Sequence, residues 1–97
     1  MKTIIQNTDL YKNNYDIQTL IDNISALSLI TILRTQHLTY DFCINYILNE
    51  QYQIIEEEKY IDIFDVCIHQ KHLKAVMFIN KYTELANNID NKDNKEK

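Results

Sequence analysis

The 97-residue chain contains neither glycine nor proline. Average usage would supply roughly a dozen of these two residues together in a chain of this length. Tight β-hairpin turns need residues that reach positive φ, and β-rich folds need many such turns. Helices joined by short polar connectors need neither residue, because Asn can replace Gly at a helix end. The absence of both residues therefore predicts an all-α fold.

Hydrophobic patterning divides the chain into one predicted domain with two polar ends. We interpret residues 1–14 as a polar N-terminal arm and residues 15–86 as a single helical domain. Residues 87–97 are charged and low in complexity, so they bury too little apolar surface to fold, and we expect a disordered tail. The fold class we predict is a small bundle of about four to five helices, built as a lead helix plus two stacked helical hairpins.

Polar side chains mark the expected helix starts. Asp16 and Thr39 are predicted N-caps, and Asp62 competes with the acidic run 56–58 for the start of a later helix. The residues predicted to be buried recur at helical spacing: Ile17, Leu20, Ile21, Ile24, Leu27, Ile30, Leu33, Leu38, Phe42, Cys43, Tyr46, Ile47, Ile61, Phe64, Cys67, Ile68, Leu73, Val76, Met77, Phe78 and Ile79. A short strand within residues 52–64 is the competing interpretation, but no second strand is available to pair with it.

The chain also contains an internal repeat. The pairs at positions 37–38 and 44–45, His-Leu and Ile-Asn, recur at positions 72–73 and 79–80. This recurrence predicts two helical hairpins, residues 26–49 and 61–85, of a length that stacks in helical repeat proteins. Chance recurrence in a chain rich in Ile and Asn is the alternative.

Two segments resemble known repeat families. HLKAVMFINKY, residues 72–82, is similar to the second helix of an ankyrin repeat, and Val66-Cys67 stands where ankyrin repeats have two small residues. The T-P-L-H element is missing, and one extra residue separates Cys67 from His72. ILRTQHLTYDFC, residues 32–43, resembles the I-S-x-x-Q-x-L-S-x-x-F-I repeats of large DNA viruses and phages. Both resemblances imply helical hairpins used for contacts with other proteins.

Charge and hydropathy argue against several partner classes. The net charge is −4, with ten basic and fourteen acidic residues, and Arg34 is the single arginine, so nucleic acid is a disfavoured partner. A helix-turn-helix over residues 26–49 is the alternative, although its second helix would present Tyr40, Asp41, Asn45 and Glu50 without a basic residue. No apolar run is long enough to cross a membrane, and we expect a cytoplasmic protein, in a host cell if the gene is viral.

Candidate chemistry is sparse, and we predict no enzyme, no catalytic residue, no metal site and no cofactor. Cys67, His69 and His72 are the strongest candidate metal ligands, but residues 67 and 69 point about 200° apart on a helix. Both cysteines lie within apolar stripes, where a thiol is not activated as a nucleophile. Two buried core thiols are therefore the simpler interpretation.

Seven tyrosines against no tryptophan is a high count for this length. Tyrosine is enriched at protein interfaces, and acidic residues beside it suit a basic partner. The predicted partner-binding residues surround the connector between the two hairpins: Tyr40, Tyr46, Tyr52, Glu56, Glu57, Glu58 and Tyr60. The function we predict is a non-enzymatic protein–protein interaction module, a viral or phage accessory factor that binds or inhibits a host protein through an acidic, nucleic-acid-mimicking face. A small DNA-binding regulator and a self-assembling structural protein, which would form homo-oligomers, are the alternatives.

Overall fold

A computed structural model describes the backbone of residues 3–95 and side chains as far as Leu85. Its α-helices are α1 (Asn7–Leu10), α2 (Ile17–Asp22), α3 (Leu29–Thr35), α4 (Tyr40–Phe42), α5 (Ile63–His69) and α6 (Ala75–Lys95). Helix α4 continues as a π-helical turn, Cys43–Ile47, and 3₁₀ turns cover Ile24–Ala26, Glu50–Tyr52 and Glu56–Tyr60. No strand occurs between residues 3 and 95. The prediction of a small all-α bundle is confirmed, and the strand alternative is wrong.

The helices form three consecutive pairs: α1 with α2, α3 with α4 and its π turn, and α5 with α6. The first helices of the pairs stack in the order α1, α3, α5. The predicted caps are confirmed, since Asp16 accepts from the Thr19 N–H, Thr39 from the Phe42 N–H and Asp62 from the Asp65 N–H. Each cap satisfies a backbone donor that the first helical turn leaves free. Local chemistry therefore fixes where α2, α4 and α5 begin.

The predicted N-terminal arm is part of the domain. Ile5 is 3% exposed and Leu10 is 1% exposed, and both belong to the hydrophobic core. The Ile5 N–H also donates to Oδ1 of buried Asn23, at 3.1 Å, which ties the segment to the end of α2. The interpretation as a polar arm is therefore wrong for residues 5–10, because Ile5 and Leu10 are buried in the core, and residues 1 and 2 lie outside the described residues.

The last helix is longer than expected. Helix α6 continues to Lys95, across most of the segment that we expected to be disordered. Helix propagation costs much less than nucleation, so a packed first half can extend into polar sequence. Glu96 and Lys97 lie outside the described residues.

The core contains the fourteen buried hydrophobic residues of the described chain: Ile5, Leu10, Leu20, Leu27, Leu29, Ile32, Leu33, Leu38, Phe42, Cys43, Ile47, Val66, Leu73 and Phe78. Five residues predicted to be buried are instead exposed: Phe64, Ile68, Val76, Met77 and Ile79. All five lie on the third pair, the last of the stack. Their helical spacing was identified correctly, but the chain supplies no element to cover them among residues 3–85.

Two buried glutamines join successive pairs through the same pattern of hydrogen bonds. Gln36, directly after α3, donates from Nε2 to the carbonyls of Leu10 and Asn13, both at 3.0 Å, and accepts at Oε1 from the Tyr15 N–H at 2.8 Å. The bonded residues thus stand at positions n, n+3 and n+5 of the preceding pair.

Gln70, directly after α5, repeats this pattern one pair later. Its Nε2 donates to the carbonyls of Leu33 and Gln36, at 2.7 and 2.6 Å, and its Oε1 accepts from the Leu38 N–H at 2.9 Å. The partners again stand at n, n+3 and n+5. Buried amides whose two N–H groups and carbonyl oxygen all have partners specify geometry well, so this repeated clasp fixes how each pair sits on the one before it.

Candidate protein-interaction surfaces

Tyr40, a predicted contact residue, is occupied within the fold. Its hydroxyl accepts a hydrogen bond from the Lys74 N–H at 2.9 Å, directly before α6 begins. Its ring meets Phe78 edge-on, with centroids 4.9 Å apart. Tyr40 therefore joins the second pair to the third pair, and the aromatic excess is partly explained by such internal contacts.

Tyr46 and Tyr52 form a second aromatic group, away from Tyr40. The centroids of Phe42 and Tyr46 lie 5.1 Å apart, and those of Tyr46 and Tyr52 lie 4.9 Å apart. Both tyrosines are half-buried. Aromatic pairs in this range stabilise by about 0.5–1.5 kcal/mol each beyond their buried area. This group packs the connector after the π turn against the second pair.

Glu58 is wrongly assigned as a contact residue, because it is 4% exposed. One carboxylate oxygen accepts from the Leu29 N–H at 2.9 Å, at the N-terminus of α3. The other accepts from the N–H groups of Ile54 and Ile55, at 2.9 and 3.3 Å. The carboxylate suits a helix N-terminus because both unpaired amides and the helix dipole favour negative charge there. Glu58 thus anchors the segment that precedes it to the second pair.

The anchored segment presents the remaining predicted residues to solvent. We call it the acidic loop: Ile54, Ile55, Glu56, Glu57 and Tyr60. Ile54 is 73% exposed and Tyr60 is 72% exposed, and both carboxylates are exposed. The Tyr60 hydroxyl donates to Oε1 of Glu56 at 3.3 Å. The structure therefore brings Glu56, Glu57 and Tyr60 together, whereas Tyr40 contacts the third pair and Tyr52 lines a cleft beside Ile54 and Ile55.

Ile54 and Ile55 are contact candidates that the sequence analysis missed. They stand directly before the acidic run, and that adjacency of exposed apolar and acidic residues was the available signal. Beside them, a cleft of about 340 Å³ is lined by Asn7 of α1, by residues 25–28 between α2 and α3, and by Tyr52. The cleft beside the acidic loop can therefore receive an apolar side chain of a partner.

A second exposed apolar surface lies on the third pair. We call it the outer face: Phe64 and Ile68 on α5, and Val76 and Ile79 on α6. Their exposed fractions are 67%, 65%, 59% and 52%. Residues three or four positions apart share one side of a helix, so Phe64 and Ile68 lie on one side of α5. Val76 and Ile79 likewise lie on one side of α6. Apolar side chains gathered on one side of a soluble domain are typical of an interaction site.

The outer face points away from the second pair. On α5, fully buried Val66 lies about 200° around the helix from Phe64. On α6, Lys81 lies about 200° from Ile79. The Nζ of Lys81 pairs with a carboxylate oxygen of Asp41, in the second pair, at 3.5 Å. The opposite sides of α5 and α6 therefore contact the rest of the protein, and the outer face closes the free end of the stack.

The cysteines and histidines serve the interior and the pair junctions. Burial raises the pKa of Cys43 to about 12, with a smaller contribution from neighbouring Cys67, so the Cys43 thiol stays protonated at neutral pH. His37 and His72 stack with centroids 3.8 Å apart and planes 12° apart. The His72 Nε2 donates to the Leu38 carbonyl at 2.6 Å. Within the described residues, no three His, Cys, Asp or Glu side chains gather as metal ligands.

Among the described residues, no helix has both the length and the apolar character of a membrane-spanning segment. No protein-family model, curated protein or solved structure matches this chain.

Proposed function

We propose that this chain is a non-enzymatic protein-binding module whose acidic loop docks on a basic surface of a partner protein. The observation that carries the proposal is the construction of the loop. Glu58 accepts three backbone N–H groups and holds the backbone, while Ile54 and Tyr60 remain about three-quarters exposed. Preorganised loops bind with less loss of conformational entropy than mobile ones.

The chemistry of the loop defines the partner. Glu56 and Glu57 supply exposed negative charge that would steer a basic surface into place, and Tyr60 supplies a rigid aromatic contact. The cleft beside Ile54 and Ile55 is large enough for one apolar side chain of the partner. With Glu58 buried, the loop offers two carboxylates to a partner and not three. If the acidic loop mimics nucleic acid, the partner is a host protein that binds nucleic acid. The chain would then act as a viral or phage accessory factor.

Capture experiments with matched variants test the proposal. The immobilised full chain, with wild-type sequence or with Tyr60→Ser, is exposed to lysate of the cells that produce it, at low and high salt. Tyr11→Ser is the control, because Tyr11 is 69% exposed but lies outside the loop. We expect capture of a basic protein that weakens with salt, is lost with Tyr60→Ser and is retained with Tyr11→Ser.

The charged part of the loop has its own test. Exchanging Glu56 and Glu57 together for Gln keeps size and hydrogen-bonding capacity while removing two charges. The association rate with the captured partner should fall, and its salt dependence should flatten. Equal capture by wild type, Tyr60→Ser and the double Gln variant would show that the acidic loop is not the binding site.

A further inference from the structure

The outer face corresponds to a surface that is already an interface elsewhere in the same chain. Helices α3 and α5 begin at positions 29 and 63, and helices α4 and α6 begin at positions 40 and 75. The two pairs are therefore equivalent with an offset of 34 positions in their first helices (63 minus 29) and 35 in their second (75 minus 40). The shared clasp of Gln36 and Gln70 agrees with the first offset, 70 minus 36.

On the first helices, Phe64 and Ile68 correspond to Ile30 and Arg34. These two residues of the second pair line a cleft of about 170 Å³ together with residues 65 and 69 of α5 and with Glu57 and Tyr60 of the acidic loop. The positions equivalent to Phe64 and Ile68 thus face the next pair in the stack. An arginine stands at one of them in the second pair, whereas the third pair has isoleucine.

On the second helices, Val76 and Ile79 correspond to Asp41 and Ile44. Asp41 forms the ion pair with Lys81 of the third pair, and Ile44 lies half-buried beside it. The outer face therefore repeats the surface that receives a following pair, with its charged positions replaced by apolar residues. A surface of this chemistry excludes water best against another apolar surface.

We infer that the outer face binds the outer face of a second copy of this chain, forming a two-fold symmetric dimer. The opposite end of the stack does not match it. The clasp partners of the first and second pairs differ by 23 positions (33 minus 10), so residues 65 and 69 of α5 correspond to Thr8 and Lys12 of the first pair, which are exposed and polar. Head-to-tail stacking would bury Lys12 against apolar side chains, whereas pairing of two outer faces places apolar residues against apolar residues.

The available area falls near the lower bound for a stable dimer. The four residues expose about 360–490 Å² per copy, taking about 150–200 Å² for a fully exposed large side chain. Two copies would bury about 700–1,000 Å² of apolar surface. Homodimer interfaces are about two-thirds apolar, so the complete interface would reach about 1,100–1,500 Å². Stable interfaces bury about 1,200–2,000 Å².

This dimer goes beyond the proposed function, because it uses a different surface and a different partner. The test is sedimentation equilibrium of the purified full chain over a wide concentration range. Wild type should rise from the 11.6 kDa chain mass to twice that mass and remain there. A double variant, Ile68→Glu with Val76→Glu, should raise the dissociation constant at least about a hundredfold. Both substituted residues are more than half exposed, so circular dichroism should report an unchanged helical fold.

Ile54→Glu is the matched control. Ile54 is as exposed as the outer-face residues but belongs to the acidic loop, so this variant should dimerise like wild type. A wild-type chain that stays monomeric at the highest concentration would overturn the inference, as would a double variant that dimerises normally. A mass that keeps rising beyond two copies would overturn the two-fold arrangement. A wild-type chain that dimerises but captures no basic partner would refute the acidic-loop proposal alone.

Discussion

Exchange of Gln70 for methionine should nearly unfold this protein, although no charge is lost and little volume changes. The glutamine is 4% exposed and bonds three backbone groups of the second pair. Methionine leaves one N–H and two carbonyls without partners and too little space for water to replace the amide. Each buried unsatisfied group costs about 1–3 kcal/mol, so we expect the three groups together to cost about 3–9 kcal/mol.

That loss is comparable with the whole stability of a chain of this size, about 5–15 kcal/mol. Urea unfolding followed by circular dichroism measures it. With an m-value of about 1.5 kcal/mol per molar urea, the midpoint should fall by about 2–6 M. Gln51→Met is the control, because Gln51 is exposed, and its midpoint should stay within the error of the wild-type value.

A second variant, Gln70→Glu, tests the same contacts through the pH dependence of stability. An ionised carboxylate could still accept from the Leu38 N–H but would face two carbonyl oxygens, so the fold should raise its pKa above the unfolded value. The stability of Gln70→Glu should therefore be greatest at acidic pH and fall as pH rises through the folded-state pKa. If Gln70→Met costs no more than Gln51→Met, the clasp does not hold the pairs together.

Three further substitutions follow from the contacts of single residues. Glu58→Gln sets an amide donor against backbone N–H groups and should cost about 1–3 kcal/mol in urea unfolding, whereas Glu57→Gln, at an exposed position, should cost under about 0.5 kcal/mol; equal effects would contradict the anchor. Because the pKa of Cys43 is raised from 9.0 to about 12, stability should decline as pH rises through that window, and Cys43→Ala should flatten the decline; an unchanged slope would exclude this thiol as its source. Tyr40→Phe removes the acceptor of the Lys74 N–H and should lower stability by about 0.5–1.5 kcal/mol while leaving partner capture intact, and lost capture would restore Tyr40 as a contact residue.

The candidate sites were only partly accessible from sequence. Glu56, Glu57 and Tyr60 share a surface, as their proximity in the chain suggested. Glu58 carries the same side chain as its neighbours, and only its bonds to Leu29, a residue far away in sequence, separate it from them. The equivalence of the pairs was also blurred, because one additional residue between α5 and α6 changes the offset from 34 to 35 midway through the repeat.

Local chemistry was sufficient for the fold class and for the helix starts. The lack of Gly and Pro excluded turn-rich folds, and Asp16, Thr39 and Asp62 cap helices through bonds to residues only three positions away. Such bonds are complete within one helical turn, so the sequence determines them alone. The burial of a side chain, in contrast to a helix cap, depends on whether another element of the fold packs against it. Phe64 and Ile5 are both apolar, yet among residues 3–85 Ile5 is covered by the core and Phe64 is not.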